Sequence, residues 1–413
     1  MIVWLPAMVL FNKVDMFKIL KKSKISKARL GIIQTPHGKI ETPIFMPDAT
    51  RGVIKHLSIQ DLDNLGLGCL VANTLHLFLR PGTKLIKQVN GLHNFINWQK
   101  PILTDSGGYQ VFSLIHKLPH LQASAGANST SICRCGGENG SKGFINDSGA
   151  IFRSPIDGAK LKMTPELSIK TQFALGVDMM VCFDDCPPNG YNDEMLTISV
   201  ERTIKWARRC KREYDKQVKL LKNKKNKPLL FAVIQGGGNL KLRERCAKEL
   251  NKIGFDGFGF GARHIDESGN FLTEALEYTA DQIPENKLRF GLGIGMPEDI
   301  IRSIKMGWDM FDCVIPTREG RHGKLFFQKR LINKKVNKFY DTINITNAKF
   351  AKDFSPINKY SKLAELRQYS KAYLNYLFKI NEPLALRLAS LNNLEFYLNI
   401  INEVKKLIKK NKI

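Results

Sequence analysis

Acidic residues are scarce in this sequence: 38 Asp and Glu stand against 64 Lys and Arg, a formal net charge of +26. So large an excess excludes a surface of balanced charge and points to a polyanionic partner. A composition rich in Lys and Asn accounts for part of it, but clustering argues for more. Lys211, Arg212, Lys216, Lys219, Lys222, Lys224, Lys225 and Lys227 crowd one segment, and Lys329, Arg330, Lys334, Lys335 and Lys338 form another without an acid among them. Long apolar runs are lacking as well. Residues 1–11 (MIVWLPAMVLF) fall far short of a bilayer span and carry neither a basic leader nor a small-residue cleavage site. No membrane partner and a cytoplasmic location are therefore expected. Cysteine is sparse and scattered, at 69, 133, 135, 182, 186, 210, 246 and 313, which excludes a disulfide scaffold and suits a reducing compartment. Cys133 and Cys135 alone have ligand-like spacing, a weak metal signal without partners. No G-x-G-x-x-G follows an early strand, and GLGIG at 291–295 comes late and misses the last glycine, so a dinucleotide fold lacks its sign.

What is present is core material, 43 % hydrophobic residues with 24 Phe, 10 Tyr and 4 Trp, enough to exclude a disordered chain. Short apolar runs recur at 177–184, 229–237, 254–261, 288–295 and 310–316, each ending in Gly, Asp or Pro. They read as parallel strands buried on both faces. Helical stretches lie between them: 196–211 with Ile198, Ile204 and Trp206, 239–252 with Leu242, Cys246 and Leu250, and one opening at Pro297. Polar residues close several different strands, which favours a closed barrel over an open doubly wound sheet. The expected fold class is α/β, an irregular (β/α)8 TIM barrel with a C-terminal helical appendage. The expected layout is a variable N-terminal extension (1–24), a barrel (25–324) with a Ser/Gly/Asn-rich loop insertion at 117–147, and a basic, mainly helical region (325–413).

Four strand ends carry candidate chemistry. Asp312 ends one apolar run, Asp105 follows PILT and precedes Ser106-Gly107-Gly108, Asp184 and Asp185 close a third, and Gln235 with Gly236 closes a fourth. Any one of these acids could simply cap the next helix, and Gly107-Gly108 could be only a tight turn. Together they suit cleavage of a glycosidic bond, where one carboxylate attacks or stabilises the sugar and another moves a proton. Asp184 and Gln235 have the donors and acceptors to read a purine edge, and Arg318 and Arg321 could grip phosphate or base.

The sequence resembles the tRNA-guanine transglycosylases from about residue 25 to 400. The resemblance rests on RGVIK at 51–55, NTLHLFLRPG at 73–82, PILTDSGGYQVFSL at 101–114 and FRSPIDG at 152–158. It continues through FDD at 183–185, VIQGG at 233–237, GMPEDI at 295–300 and MFDCVIPTREGRHG at 310–323. It implies exchange of the tRNA wobble guanine for a 7-deazaguanine base, 7-aminomethyl-7-deazaguanine in the bacterial type, within queuosine modification. Asp312 matches the covalent nucleophile and Asp105 the proton-transfer aspartate. Asp184, Gln235, Gly236, Gly261, Ser106, Gly107 and Tyr109 fall at base-binding positions, and Arg318, Arg321, Lys329 and Arg330 toward the tRNA. The family's usual dimer makes a homodimer an expectation.

Three departures stand out. The family's structural zinc ligands, C-x-C-x-x-C and a later His, match Ser361, Leu363, Leu366 and Asn392 here, so no metal and no cofactor are expected. The base-recognition loop reads GFGFGARHIDE at 257–267, with Ala262, Arg263 and His264 in place of smaller or apolar residues. The insertion at 117–147 is the third. A non-catalytic partner subunit, and a transglycosylase with another base or a DNA substrate, are the competing readings.

Overall fold

The computed structural model describes residues 16–116, 143–188, 190–329, 332 and 339–413. Eight short strands form its centre: β1 Ile44–Pro47, β2 Leu70–Ala72, β3 Ile102–Thr104, β4 Met179–Val181, β5 Leu229–Ile234, β6 Gly257–Phe260, β7 Leu288–Gly291 and β8 Met310–Cys313. They run in the order β1-β8-β7-β6-β5-β4-β3-β2, all parallel, and a bridge from Asp48 to Val71 joins β1 back to β2. Each strand lies beside its sequence neighbours, the order of a (β/α)8 barrel. The expected fold class is the observed one.

The alternation within β5 shows how the sequence builds it. All six of its residues are buried. Leu229, Phe231 and Val233 join the cluster inside the barrel, while Leu230, Ala232 and Ile234 join the larger one under the helices. Successive strand side chains point to opposite faces, and here both faces are covered. The interior cluster also takes Met46, Val71, Leu103, Met179, Val181, Phe290 and Met310, one inward position after another around the ring. Each such side chain contributes about 1.5–3 kcal/mol on burial. An antiparallel sheet of Phe17–Lys22, Arg29–Thr35 and Gly38–Thr42 adds Phe17, Ile33 and Ile40 to the same cluster and closes the N-terminal end, the barrel floor.

Two helical faces differ from the sequence pattern. Ile198 is 49 % exposed on the helix Asp193–Leu220. On Leu240–Ile253 the buried face is Arg243, Cys246, Ala247 and Leu250, so a charged residue takes the place expected for Leu242. Of the predicted insertion, the described end Gly143–Asn146 is a strand, paired with Gly149–Arg153. Cys133, Cys135, Arg330, Lys334, Lys335 and Lys338 lie outside the described residues.

After β8 the chain turns through the helix Ile315–Arg321, a ribbon of Lys324–Gln328 with Tyr340–Asn344, and the helices Ala364–Gln368, Lys371–Lys379 and Pro383–Lys409. Pro383 opens the last of these, where a missing N–H costs nothing. A side chain at Gly320 would meet Ala389 backbone at 3.0 Å, so glycine lets the two helices touch. Buried Asn393 fastens the junction, donating to the carbonyls of Pro316 and Lys324 at 2.9 Å each and accepting from Phe326 N at 3.0 Å. Arg318 and Arg321 thereby sit on a helix held from two sides. Among the described residues no helix is long and apolar enough to cross a membrane.

Candidate active site

The strand alternation that fills the barrel also selects what stands at its mouth. Two residues beyond Met46, Val71, Leu103, Val233 and Met310 come Asp48, Asn73, Asp105, Gln235 and Asp312. Each continues an inward-facing column past the C-terminal end of its strand. Register confirms the level of Asp312, which pairs with Met46.

The two expected acids differ in how they are held. Asp105 accepts from Asn73 Nδ2 at 2.6 Å on one oxygen, and from Thr74 N at 2.9 Å and Gly107 N at 3.1 Å on the other. Asn73 in turn caps the helix Thr74–Leu79. Asp312 accepts from Gly293 N at 2.9 Å on Oδ1. Burial pushes both carboxyls up to about 7, against the lowering pull of those amides, and the charge of Asp48 adds to the rise in each. A firmly oriented acid with a pKa near neutrality suits proton transfer, and a lightly held carboxylate suits attack on carbon.

A second group lies beside Asp105, at the ends of β3 to β6. Gln235 donates to Asp184 Oδ2 at 2.7 Å, and its own Oε1 is buried with no hydrogen-bond partner among the described residues. Ser106 Oγ lies 3.4 Å from Asp184 Oδ1, and burial raises Asp184 to about 6. A buried, unsatisfied acceptor beside a carboxylate fits the N–H-rich edge of a purine. Gly261 is needed here because a Cβ would stand 2.5 Å from Gln235 Cδ. The next residue, Ala262, has φ +66°, a left-handed conformation uncommon outside glycine. Burial holds His264 down to about 4, so the imidazole is neutral near pH 7. Tyr109 stands at the rim, 39 % exposed.

Sequence reasoning missed several contributors. Arg243 is fully buried, with its guanidinium 3.8 Å from the Phe260 ring centroid, and donates to the carbonyls of Gly237 at 2.6 Å, Ile234 at 3.2 Å and Gly261 at 3.1 Å. It ties the loop containing Gly236 and Gly237 to the one beginning at Gly261. Asn73 and Asp48 were likewise unassigned, although the count of two beyond each inward apolar residue finds both. Of the cationic residues, half-buried Arg321 feels the charge of Asp48. Arg318 pairs with Glu319 at 3.5 Å, and exposed Lys329 with Asp341 at 2.9 Å.

The expectation of no metal site is overturned. His37, His93 and Asp178 bring three ligand-type atoms within 4.8 Å of one another. His37 Nδ1 lies 2.9 Å and His93 Nε2 3.0 Å from the Asp178 carboxylate, and the two rings stack at 3.6 Å. Two imidazoles and a carboxylate are donors that a zinc-type ion accepts. The residues are too far apart in sequence for any spacing rule to join them. Asp178 precedes β4, so this set belongs to the floor, at the opposite end of the barrel from Asp312. The four family-matched zinc positions do other work. Leu363 and Leu366 are buried in the core, Ser361 Oγ donates to Glu395 at 2.5 Å, and Asn392 Nδ2 donates to Phe326 O at 3.1 Å. They make no zinc donor set.

With this geometry in view, comparison with known proteins is decisive. The family described as Queuine tRNA-ribosyltransferase matches residues 23–413. The chain belongs to the queuine tRNA-ribosyltransferase family. That membership makes it a pentosyltransferase. A queuine tRNA-ribosyltransferase of Halothermothrix orenii is 37 % identical over 393 residues, covering 95 % of this chain and 93 % of that one. A second of the same name, from a Thermoanaerobacter species, is 38 % identical over 398 residues, with 96 % and 94 % covered. A third, from Lysinibacillus sphaericus, is 36 % identical over 398 residues, with 96 % and 93 % covered.

Proposed function

We propose that this protein exchanges the wobble guanine of tRNA for a 7-deazaguanine base, 7-aminomethyl-7-deazaguanine, by double displacement. A carboxylate oxygen of Asp312 attacks C1′ of the ribose. The C1′–N9 bond breaks, and guanine leaves with the electron pair and a proton supplied by Asp105. The incoming base gives its N9 proton back to Asp105 and attacks C1′, expelling Asp312. Two inversions leave the sugar configuration unchanged, and no phosphodiester is cut. The wobble nucleotide must be turned out of its stack, which costs least in an anticodon loop.

The observation that carries this reading is the pair of partly buried carboxyls on separate strand ends, both drawn to about 7, one with three donors and the other with one among the described residues. Near pH 7 such a pair supplies an ionised nucleophile and a protonated acid together. Asp184 and the unsatisfied Gln235 Oε1 would read the base, with Ser106, Gly107, Gly236, Gly261 and Tyr109 around it. Arg318, Arg321, Lys329 and Arg330 would hold the RNA, and a homodimer is part of the same reading. Exchange of labelled guanine into an anticodon stem-loop, with guanine, the aminomethyl base and queuine offered in turn, tests it. Binding without exchange of any base would leave the non-catalytic subunit reading in its place.

A further inference from the structure

Asp48 is an acid at the mouth with no role in the exchange as described. It stands on the inward column of β1, between the strands that carry Asp312 and Asn73. Its register is fixed on both sides: Met46 pairs with Asp312 across β8, and Asp48 itself bridges Val71 of β2. Thr50 Oγ1 donates to its Oδ1 at 2.9 Å. Its charge is felt by Asp105, Asp312 and Arg321, so it lies among the reacting groups and their cation.

Position in the ring limits what a ligand can offer it. Base-reading groups occupy the β3 to β6 side, through Ser106, Asp184, Gln235 and Gly261. With the base there, C1′ at Asp312 and the loop after β7 already against Asp312 through Gly293, the open side for the rest of the ribose is toward β1 and β2. An internal nucleotide has its 3′ and 5′ oxygens esterified to phosphate, which a carboxylate repels. The 2′-hydroxyl, on the carbon next to the reacting centre, is the sole remaining donor on that sugar. It is also the group that separates RNA from DNA, and hydrogen bonds to it strengthen as a glycosyl transition state develops.

We propose that Asp48 accepts a hydrogen bond from the 2′-hydroxyl of the target ribose and so selects ribonucleotide over deoxyribonucleotide. The proposal rests on the reading that Asp312 attacks C1′. Asp48 is a specificity residue rather than a third reactive acid, because Asp312 and Asp105 already account for the attack and the proton.

The test compares kcat/KM for guanine exchange on an anticodon stem-loop and on the same RNA with one 2′-deoxy substitution at the exchanging nucleotide. Wild-type protein, Asp48→Asn and Asp48→Val are used, with covalent adduct formation by the wild type as the control for the underlying reading. Wild type is expected to favour the ribonucleotide by about 10- to 100-fold, the range for a hydrogen bond to a charged group. Asp48→Val should lose most of that preference by slowing the ribonucleotide alone, and Asp48→Asn, which keeps an acceptor, should retain part of it. Equal slowing of both substrates by Asp48→Val would mean that the residue only positions Arg321 or Asp312, and would overturn the proposal. So would an unchanged preference. Absence of a wild-type adduct would count against the attack by Asp312 instead.

Discussion

Both ends of the barrel draw carboxylates out of water, fully at the floor and partly at the mouth, but they treat them in opposite ways. At the floor, Asp309 receives two hydrogen bonds from Arg29, at 2.8 and 2.6 Å, and one from Arg289 N at 2.8 Å. Asp178 faces the ring nitrogens of the stacked His37 and His93 and also accepts from the backbone amides of His37 and Ile102, and despite its burial these partners hold its carboxyl well below the usual range. At the mouth, Asp105 and Asp312 are partly buried and form no ion pair among the described residues, and desolvation wins. A buried charge with its counter-charge in place serves stability, whereas one left to be completed by a ligand serves chemistry. The fold thus separates the two uses of a buried acid by one barrel length.

The largest expected break in that symmetry is Asp312→Asn. Exchange should fall by about 10⁴-fold or more, as for loss of a nucleophile acting with a partner, while tRNA binding persists. Stability should not fall, because a carboxyl whose folded pKa is raised destabilises the free protein above that pKa. Asp309→Ala is the opposite case. It strands Arg29 among buried groups and should cost about 3–5 kcal/mol in urea unfolding, with the folded fraction still turning over normally.

Smaller effects should follow in pH. Because one acid must be ionised and the other protonated, kcat/KM should trace a bell centred near pH 7. An acid limb near 4 would show that burial does not govern the mouth. Stability of the free protein should rise from pH 8 to 5 and fall below about 4. Asp105 and Asp312 have raised folded values, so they favour the folded state as pH drops from about 7 toward their unfolded values. His37, raised by Asp178, adds stability that is complete below about 6.5 and lost as pH rises through its folded value. Asp178 contributes only above its unfolded value of about 3.9, losing its share as pH falls toward a depressed folded one. Asp312→Asn should flatten the rise and leave the fall. The smallest effect is Lys329→Ala, an exposed pair with Asp341: under about 1 kcal/mol of stability, and a reduction of about one in the salt slope of tRNA binding.

How much of this was legible in the sequence depended on whether a residue ended an apolar run. Asp105, Asp184, Gln235 and Asp312 did, and each stands at the barrel mouth. Asp48 did not stand out because β1 is only four residues long and ends in Pro47. Arg243 was not singled out, since nothing local says that its guanidinium meets three carbonyls and a ring. His37, His93 and Asp178 are joined only by the folded chain. Local pattern gives strands and their polar ends, while convergence from distant elements needs the barrel itself.

The most direct test of the central claim is to trap the protein–RNA intermediate and locate it. Wild-type protein is incubated with an anticodon stem-loop, quenched under denaturing conditions, digested and sequenced by mass spectrometry. The prediction is a ribosyl ester on Asp312 that disappears when the incoming base is added and never forms in Asp312→Asn. An ester on Asp105, or exchange at full rate in Asp312→Asn, would contradict the division of roles between the two acids.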